Sequence, residues 1–236
     1  MIVRSHHGAL LLITQPDHAH LARRIMEQCV PLAERPRRDA ILHAIGEHDS
    51  GWAEEDAAPA VNPATGEVAD FIHVPLGVRQ GVWPRAVARL ADDPWTAALV
   101  AQHALTVYAR FRGDADWAPF FVGMETARNS LLRVMPLTLD DLIADYAFVR
   151  LADLISLTFC AGWTDDQRYG GWTIRPSGTC VTVTPDLFDG AAIPVEVAAM
   201  DLPNRTFRSD ADLREAVSRA ESRTLQGTVG PEGPRG

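Results

Sequence analysis

The sequence has no lysine, so all 22 of its basic residues are arginines. Enzymes that form a Schiff base with their substrate, and nucleotide-binding proteins with a P-loop, both need a lysine at the reactive centre. Both classes are therefore excluded. Every fixed positive charge is a guanidinium, which stays protonated and can hold a phosphate or a carboxylate through two parallel hydrogen bonds.

Cysteine is also scarce. Cys29, Cys160 and Cys180 are far apart and odd in number, so they predict neither a CxxC motif nor a disulfide framework. Long apolar runs are missing as well, because the run at 9–14 is too short for an export signal or a membrane span. We therefore expect a protein of the reducing cytoplasm.

The charge balance is acidic, with a formal net charge of −9, which argues against binding to nucleic acid or to an anionic membrane. Hydrophobic residues make up 47% of the chain and charged residues 22%. These are ordinary globular values, so the chain can bury a sizeable core. We expect a small-molecule substrate, no nucleic acid and no membrane partner, and leave self-association into a homo-oligomer open.

Apolar residues recur at helical spacing over most of the first 160 residues. The spacing predicts helices at 18–34, 36–46, 80–91, 93–112, 119–134 and 138–159. In the last of these, Thr138 is the expected N-cap and Asp141 completes a capping box. The short run at 9–14 predicts a buried strand or turn.

After Gly162 the pattern changes to short runs of β-forming residues separated by turn residues. These runs predict two or three strands, followed by a short helix at 209–223. We therefore expect a mainly α fold: a helical domain over 1–162, a small C-terminal β unit packed on it over 163–225, and a disordered tail over 226–236.

The adjacent pair His48-Asp49 comes at the end of the second predicted helix. An imidazole nitrogen and a carboxylate oxygen side by side can bind one metal ion, and the second carboxylate oxygen can bridge to another. The dipeptide also arises by chance as an exposed surface pair, so it needs support from other residues. Residues 53–79, which follow it without periodicity, predict a long loop that covers the site as a lid.

Asp153 and His103 both lie in apolar stretches of predicted helices. A buried ionised carboxylate without a partner is very costly, so Asp153 needs a metal ion or a salt bridge, for example with Arg150. His103 is either a ligand or a hydrogen-bonded core residue. His18, in the first turn of its helix, is either a ligand or exposed.

The order His18, His48-Asp49, His103, Asp153 resembles that of the HD-domain superfamily of metal-dependent phosphohydrolases. The segment LADLISL around Asp153 is similar to the late helix of that superfamily. The resemblance covers residues 14–160.

Two segments are similar to a narrower bacterial family. QPDHAHL at 15–21 resembles its motif QPxHAxL, and HDSGW at 48–52 resembles its motif HDxGW. No activity is attached to that family, so the resemblance supports the fold and the site but implies no substrate.

The superfamily resemblance implies an HD-like helical bundle and a bound divalent metal, which could be Mn, Mg, Zn, Ni or Fe. The ligands that it implies are His18, His48, Asp49 and Asp153. His103 is a candidate for a further ligand, and His73 for a ligand of a second metal.

The implied activity is hydrolysis of a phosphoester by a metal-bound water, with Asp49 and His103 on either side of that water. Trp52 and Arg150 are candidates to contact the substrate. Two other classes stay open, namely a dinuclear-iron oxygenase of the HD type, for which His73 would have to be a ligand, and a non-catalytic metal-binding module.

Overall fold

The computed structural model describes residues 1–232 of the chain. The helices are α1 Gln15–Met26, α2 Val30–Ala33, α3 Arg38–Glu47, α4 Ala53–Ala57, α5 Leu76–Arg89, α6 Pro94–Val107, α7 Ala118–Arg133, α8 Leu139–Ala161 and α9 Asp210–Ser218. The strands are β1 Ile2–His6, β2 Ala9–Ile13, β3 Gln167–Tyr169, β4 Trp172–Ser177, β5 Cys180–Thr184, β6 Ile193–Pro203 and β7 Glu221–Gly230. Short 3-10 helices lie at 50–52, 109–111 and 115–117.

The seven strands form one sheet in the order β1-β2-β6-β7-β5-β4-β3. Neighbours in it are antiparallel except β5 and β7, which run parallel. The N-terminal hairpin is joined to the C-terminal part of the chain, because β2 pairs with β6 through partners such as Leu10 and Leu202. The sheet is therefore built from both ends of the sequence.

This sheet corrects the expected fold class. About 50% of the chain is helical and about 20% lies in the curled sheet, so a mainly α bundle with a small β unit, and the all-α description with it, is wrong. The reason is the distance in sequence between pairing strands. A run such as 9–14 indicates a strand, but no local pattern shows that its partner lies about 190 residues further along.

The C-terminal boundaries also differ from the expectation. Residues 226–230 belong to β7, which pairs with β6 from Glu221 to Val229 and with β5 up to Gly230, so they are not a disordered tail. Residues 233–236 of the expected tail lie outside the described residues. The largest hydrophobic core includes residues on both sides of the expected boundary at 162, among them Val149 of α8 and Val195 of β6.

Helix α8 runs through the middle of the molecule. It begins as expected, since Thr138 is the N-cap and Asp141 completes the capping box. It packs against α1, α3 and α6 and also against strands of the sheet. Its second half is buried on all sides up to Cys160, and it ends at Gly162, whose φ of +65° is left-handed. A polar side chain in that half therefore has to find its partners inside the protein.

The segment expected to be one long loop is shorter and more ordered. Residues 53–57 form α4 and α5 already begins at Leu76, while between them Val61 and Val68 form an isolated β-bridge. Among residues 1–232, no helix is both long and apolar enough to cross a bilayer.

Candidate metal centre

Helix α1 places His18 inside the protein. Its N-cap is Thr14, whose hydroxyl accepts a hydrogen bond from the backbone N–H of Asp17, so the helix begins at Gln15, three residues before the start predicted at 18. His18 is fully buried, and its Nδ1 lies 2.8 Å from the hydroxyl of Ser156. That hydroxyl donates its proton to the carbonyl of His18 at 2.8 Å. It therefore accepts from Nδ1–H, which leaves the lone pair on Nε2.

His48, at the end of α3, is held in the same tautomer. Its Nδ1 lies 2.7 Å from the carbonyl oxygen of Ile45, and a carbonyl can only accept. In the neutral ring the proton is thus on Nδ1 and the lone pair on Nε2. The backbone carbonyl of His48 accepts from Trp83 Nε1 at 3.0 Å, which ties the residue to α5.

The close approach of α5 depends on Gly51. A Cβ on this residue would lie 1.8 Å from the carbonyl oxygen of Val82, which no side chain can tolerate. The glycine therefore lets α5 pack directly on the turn that follows His48-Asp49. Trp52, next in sequence, is almost completely buried and packs edge-on against Trp83.

The two Nε2 atoms face one another 3.2 Å apart. Two carboxylate oxygens lie beside them. Asp49 Oδ2 is 3.7 Å from His18 Nε2 and 3.6 Å from His48 Nε2. Asp153 Oδ1 is 3.3 Å and 3.5 Å from the same two nitrogens. Four residues from α1, the end of α3 and α8 thus converge on one point.

These distances fit a single metal ion. Ligand atoms about 2.0–2.2 Å from an ion lie roughly 2.8–3.6 Å from each other in tetrahedral or octahedral geometry. The observed separations of 3.2–3.7 Å fall in or just above that interval. Two lone pairs and two carboxylates in a buried place repel each other unless a proton or a cation lies between them. The arrangement could therefore hold a divalent cation.

The titration of these groups reflects their burial. Burial opposes protonation of His48, but the carboxylates of Asp49 and Asp153 outweigh it and raise its pKa to about 9. Burial raises the pKa of Asp49 above its ordinary value. In Asp153, burial acts in the same direction but is overcome by Arg150 and the two histidines, so its pKa is well below its ordinary value.

Asp153 forms the salt bridge with Arg150 that was considered from the sequence, and it also faces two histidines. Its Oδ2 accepts a short hydrogen bond from Arg150 Nη1, one turn earlier on α8, while its Oδ1 faces His18 and His48. The salt bridge therefore uses one oxygen and leaves the other in a position where it could contact a metal ion. Asp49 differs, because its Oδ1 is buried and has no hydrogen-bond partner.

His103, on α6, lies at the edge of this group. Its Nε2 is 3.9 Å from Asp153 Oδ2, and its Nδ1 is 3.3 Å from the hydroxyl of Tyr146. With His48 and Asp153 it forms a second set of three residues close enough to share an ion. Burial lowers the pKa of His103 well below its ordinary value, so its ring is neutral near pH 7.

His73 lies elsewhere. Its side chain is 61% exposed and its Nδ1 is 2.6 Å from Asp70 Oδ1, and it belongs to neither group of potential metal ligands found in residues 1–232. The expected second-metal role of His73 therefore has no support from its position.

A cavity of about 210 Å³ opens beside the cluster. Asp49, His103 and Asp153 line it, as do the expected substrate residues Trp52 and Arg150. Phe71 and Ile72, from the segment 53–79 that was expected to form a lid, also line it.

Sequence reasoning missed several other lining residues, notably Gln15, Arg79 and Tyr108. Their local sequence carries no signal of a site. Gln15 lies within the QPDHAHL motif but was not singled out, and Arg79 and Tyr108 reach the cavity only because α5 and α6 pack together.

Fold and site together define a protein of mixed helices and sheet with a buried His/Asp cluster that could hold a metal. A family model described as a protein of unknown function (DUF3891) matches residues 1–204, and the chain belongs to that family. No curated protein and no solved structure matches it. Nothing in these comparisons links the chain to the HD-domain superfamily, so that likeness rests on the residues alone.

Proposed function

We propose that this protein is a metal-dependent hydrolase that acts on a phosphoester. The observation that supports this most directly is the convergence of two imidazole lone pairs and two carboxylates, at 3.2–3.7 Å, beside a cavity large enough for a small molecule. Two of these four residues, Asp49 and Asp153, line that cavity, so a ligand in the cavity could reach the centre.

His18, His48, Asp49 and Asp153 would hold the metal. The mixed nitrogen and oxygen donor set suits Mn, Fe, Ni or Zn better than Mg, which prefers oxygen ligands and water. When bound, such a metal supplies an acidified water and neutralises charge on a phosphoryl group.

The chain's own groups have complementary roles in this proposal. The unpaired Oδ1 of Asp49 is available to accept a proton from a water in the cavity. His103 is neutral and lines the same cavity, so its ring can form a hydrogen bond with that water and orient it. Arg150 keeps Asp153 in place and adds positive charge to the cavity wall.

The same proposal includes a cytoplasmic location and a small-molecule substrate, with neither nucleic acid nor a membrane as partner. Cys29 and Cys160 are buried free thiols and Cys180 is an exposed free thiol, which suits a reducing compartment. The net charge of −9 disfavours polyanionic partners. Whether copies of the chain associate is left to a measurement of mass in solution.

The test is metal analysis of the purified protein together with a panel of phosphoesters. We expect about one transition-metal ion per chain, and we expect Asp49→Ala to lose both metal and activity. His43→Ala is the control, because His43 is a half-exposed histidine of the same helical region that pairs with Asp93 at 3.0 Å. It should keep its metal.

Other outcomes would contradict the proposal in different ways. Two irons per chain with oxygen uptake would favour an oxygenase. The absence of bound metal and of activity in the wild-type protein would leave a non-catalytic module. Equal metal content in Asp49→Ala and wild type would show that the proposed metal site is wrong.

A further inference from the structure

The cavity beside the metal centre has polar atoms that the protein itself does not satisfy. Trp52, Asp49 and Gln15 are each at least nine-tenths buried. Trp52 Nε1, Asp49 Oδ1 and Gln15 Oε1 nevertheless have no hydrogen-bond partner. A buried polar group without a partner is costly, and all three residues line the same cavity. Three unsatisfied polar side chains around one cavity favour a polar ligand over an apolar one.

Two arginines of the cavity wall have no carboxylate partner among residues 1–232. Arg79 lies over the rings of Trp117 and Phe111, at 5.5 Å and 5.7 Å, and its buried Nε makes no hydrogen bond. Arg110 lies over the Phe111 ring as well, 4.7 Å from its centroid. The rings hold the guanidinium groups in place without neutralising them, so their hydrogen-bond donors remain available.

A continuous wall of aromatic rings connects these arginines to the metal centre. Trp83, which donates to the carbonyl of His48, packs on Tyr108 with ring centroids 4.7 Å apart. Tyr108 in turn packs on Trp117 at 4.4 Å, the ring on which Arg79 lies. Arginines and metal ligands therefore share one rigid wall, and a ligand in the cavity can contact both.

The charge of the lining is opposite to that of the whole chain. Three arginines and two aspartates line the cavity, which gives it a net positive charge, whereas the chain carries −9. A bound divalent metal would increase this local charge. The cavity therefore attracts anions although the rest of the surface repels them.

We infer that Arg79 and Arg110 form an anion subsite that holds the phosphoryl group of a small phosphomonoester. Two guanidinium groups without carboxylate partners match a dianionic phosphoryl group better than a single carboxylate. The volume of about 210 Å³ is below the roughly 300–1,000 Å³ typical of sites for drug-sized ligands, so the organic part must be small. Trp52 Nε1–H adds one donor on the side of the metal ligands.

This inference rests on the proposed function for the identity of the reacting group, but binding can be measured separately. Inorganic phosphate is titrated calorimetrically into the full chain, once as purified and once after dialysis against EDTA. We expect phosphate to bind in both states. Arg110→Gln and Arg79→Gln should each weaken binding roughly tenfold or more, because each removes one charge-assisted contact. Malonate, a dicarboxylate, should bind more weakly than phosphate.

Arg133→Gln is the matched control. Arg133 is exposed at the end of α7 and contacts only the hydroxyl of Ser130 in residues 1–232, so its replacement changes the net charge equally but should leave phosphate affinity unchanged. Arg79→Gln removes packing on two rings and can lower stability, which circular dichroism would reveal. Arg110 is exposed, so Arg110→Gln keeps the test decisive if the other variant unfolds.

The outcomes separate the two proposals. Phosphate binding that depends on Arg110 in a protein without metal supports the subsite even if the hydrolase proposal fails. Equal affinity in Arg110→Gln and wild type, or no phosphate binding in either metal state, overturns the subsite whatever the metal content. Malonate binding as tight as phosphate binding overturns the assignment to a phosphoryl group.

Discussion

Helix α8 contributes aspartates to two buried polar clusters, and the clusters differ in how their charge is balanced. Asp145 is fully buried, and its oxygens accept hydrogen bonds from Arg35 at 2.9 Å, from Arg37 and from Trp95 Nε1 at 3.2 Å. Asp153, two turns further along, has one oxygen on Arg150 and the other among histidine nitrogens.

The first cluster is complete by itself, whereas the second is not. Every oxygen of Asp145 has a cationic or N–H donor from the protein. At the other cluster, Asp49 Oδ1 has no partner and the Nε2 atoms of His18 and His48 face each other at 3.2 Å. A buried charge that the protein balances itself stabilises a structure, and one that it leaves unbalanced requires an ion or a ligand. This difference, rather than burial alone, distinguishes a candidate site from a structural salt bridge.

The largest expected effects come from replacing each of the two aspartates by alanine in separate variants. Asp145→Ala should lower the free energy of unfolding by about 2–4 kcal/mol and leave the metal content unchanged. This is somewhat less than the roughly 3–5 kcal/mol of a fully buried pair, because the Arg35 side chain is 33% exposed and can rehydrate. Asp153→Ala should abolish metal binding. Urea denaturation and elemental analysis measure the two effects.

Asp140→Ala is the control for this pair of variants. Asp140 is an exposed aspartate in the first turn of the same helix, so its loss should cost less than about 1 kcal/mol. If Asp145→Ala loses metal while keeping its stability, the division into a structural and a functional cluster is wrong.

A smaller effect is expected from the group that orients His18. Ser156→Ala removes the acceptor of the His18 Nδ1 proton, so the ring is no longer held with Nε2 towards the centre. Loss of such an orienting partner typically weakens metal affinity by about 10–100-fold. Competition with a chelator of known affinity measures the change, and activity at saturating metal should largely recover.

Thr158→Val tests whether any buried hydroxyl of α8 would have the same effect. The Thr158 hydroxyl donates to the carbonyl of Leu154 at 2.7 Å, within its own helix. Its removal should leave metal affinity unchanged. Similar losses in the two variants would show that the Ser156 effect is one of helix stability.

Much of the site could be expected from the sequence, because its signals are local. His48 and Asp49 are adjacent, and the burial of Asp153 and His103 follows from the apolar residues around them on their own helices. The tautomers could not be predicted, since they depend on Ser156 and on a backbone carbonyl. The anion subsite could not be predicted either, because Arg79 becomes distinctive only through the rings that pack around it.

The fold was predictable to the extent that its elements are local. Helix α8 and its capping box follow from spacing and from Thr138 and Asp141. The sheet could not be predicted, because its central pairings join β2 to β6 and β5 to β7 across long stretches of chain. β7 pairs with β6 over residues that, read alone, are polar and glycine-containing, so only the partner strand reveals it.

The smallest expected effect concerns Asp49. Unlike the other substitutions, its replacement should stabilise the protein when no metal is bound. Burial raises the pKa of Asp49, so ionisation of Asp49 increasingly destabilises the metal-free fold as the pH rises above the ordinary pKa of a carboxyl group. Asp49→Asn keeps the shape and removes the charge, while Asp153 still faces His48 Nε2 at 3.5 Å. In EDTA at pH 7 the variant should therefore be more stable than wild type, by roughly 0.5–2 kcal/mol. With saturating metal the order should reverse, since only the wild type gains binding energy. Urea denaturation in both conditions measures this. A variant less stable than wild type in EDTA would mean that the protein already balances the Asp49 charge, and the contrast with Asp145 would disappear.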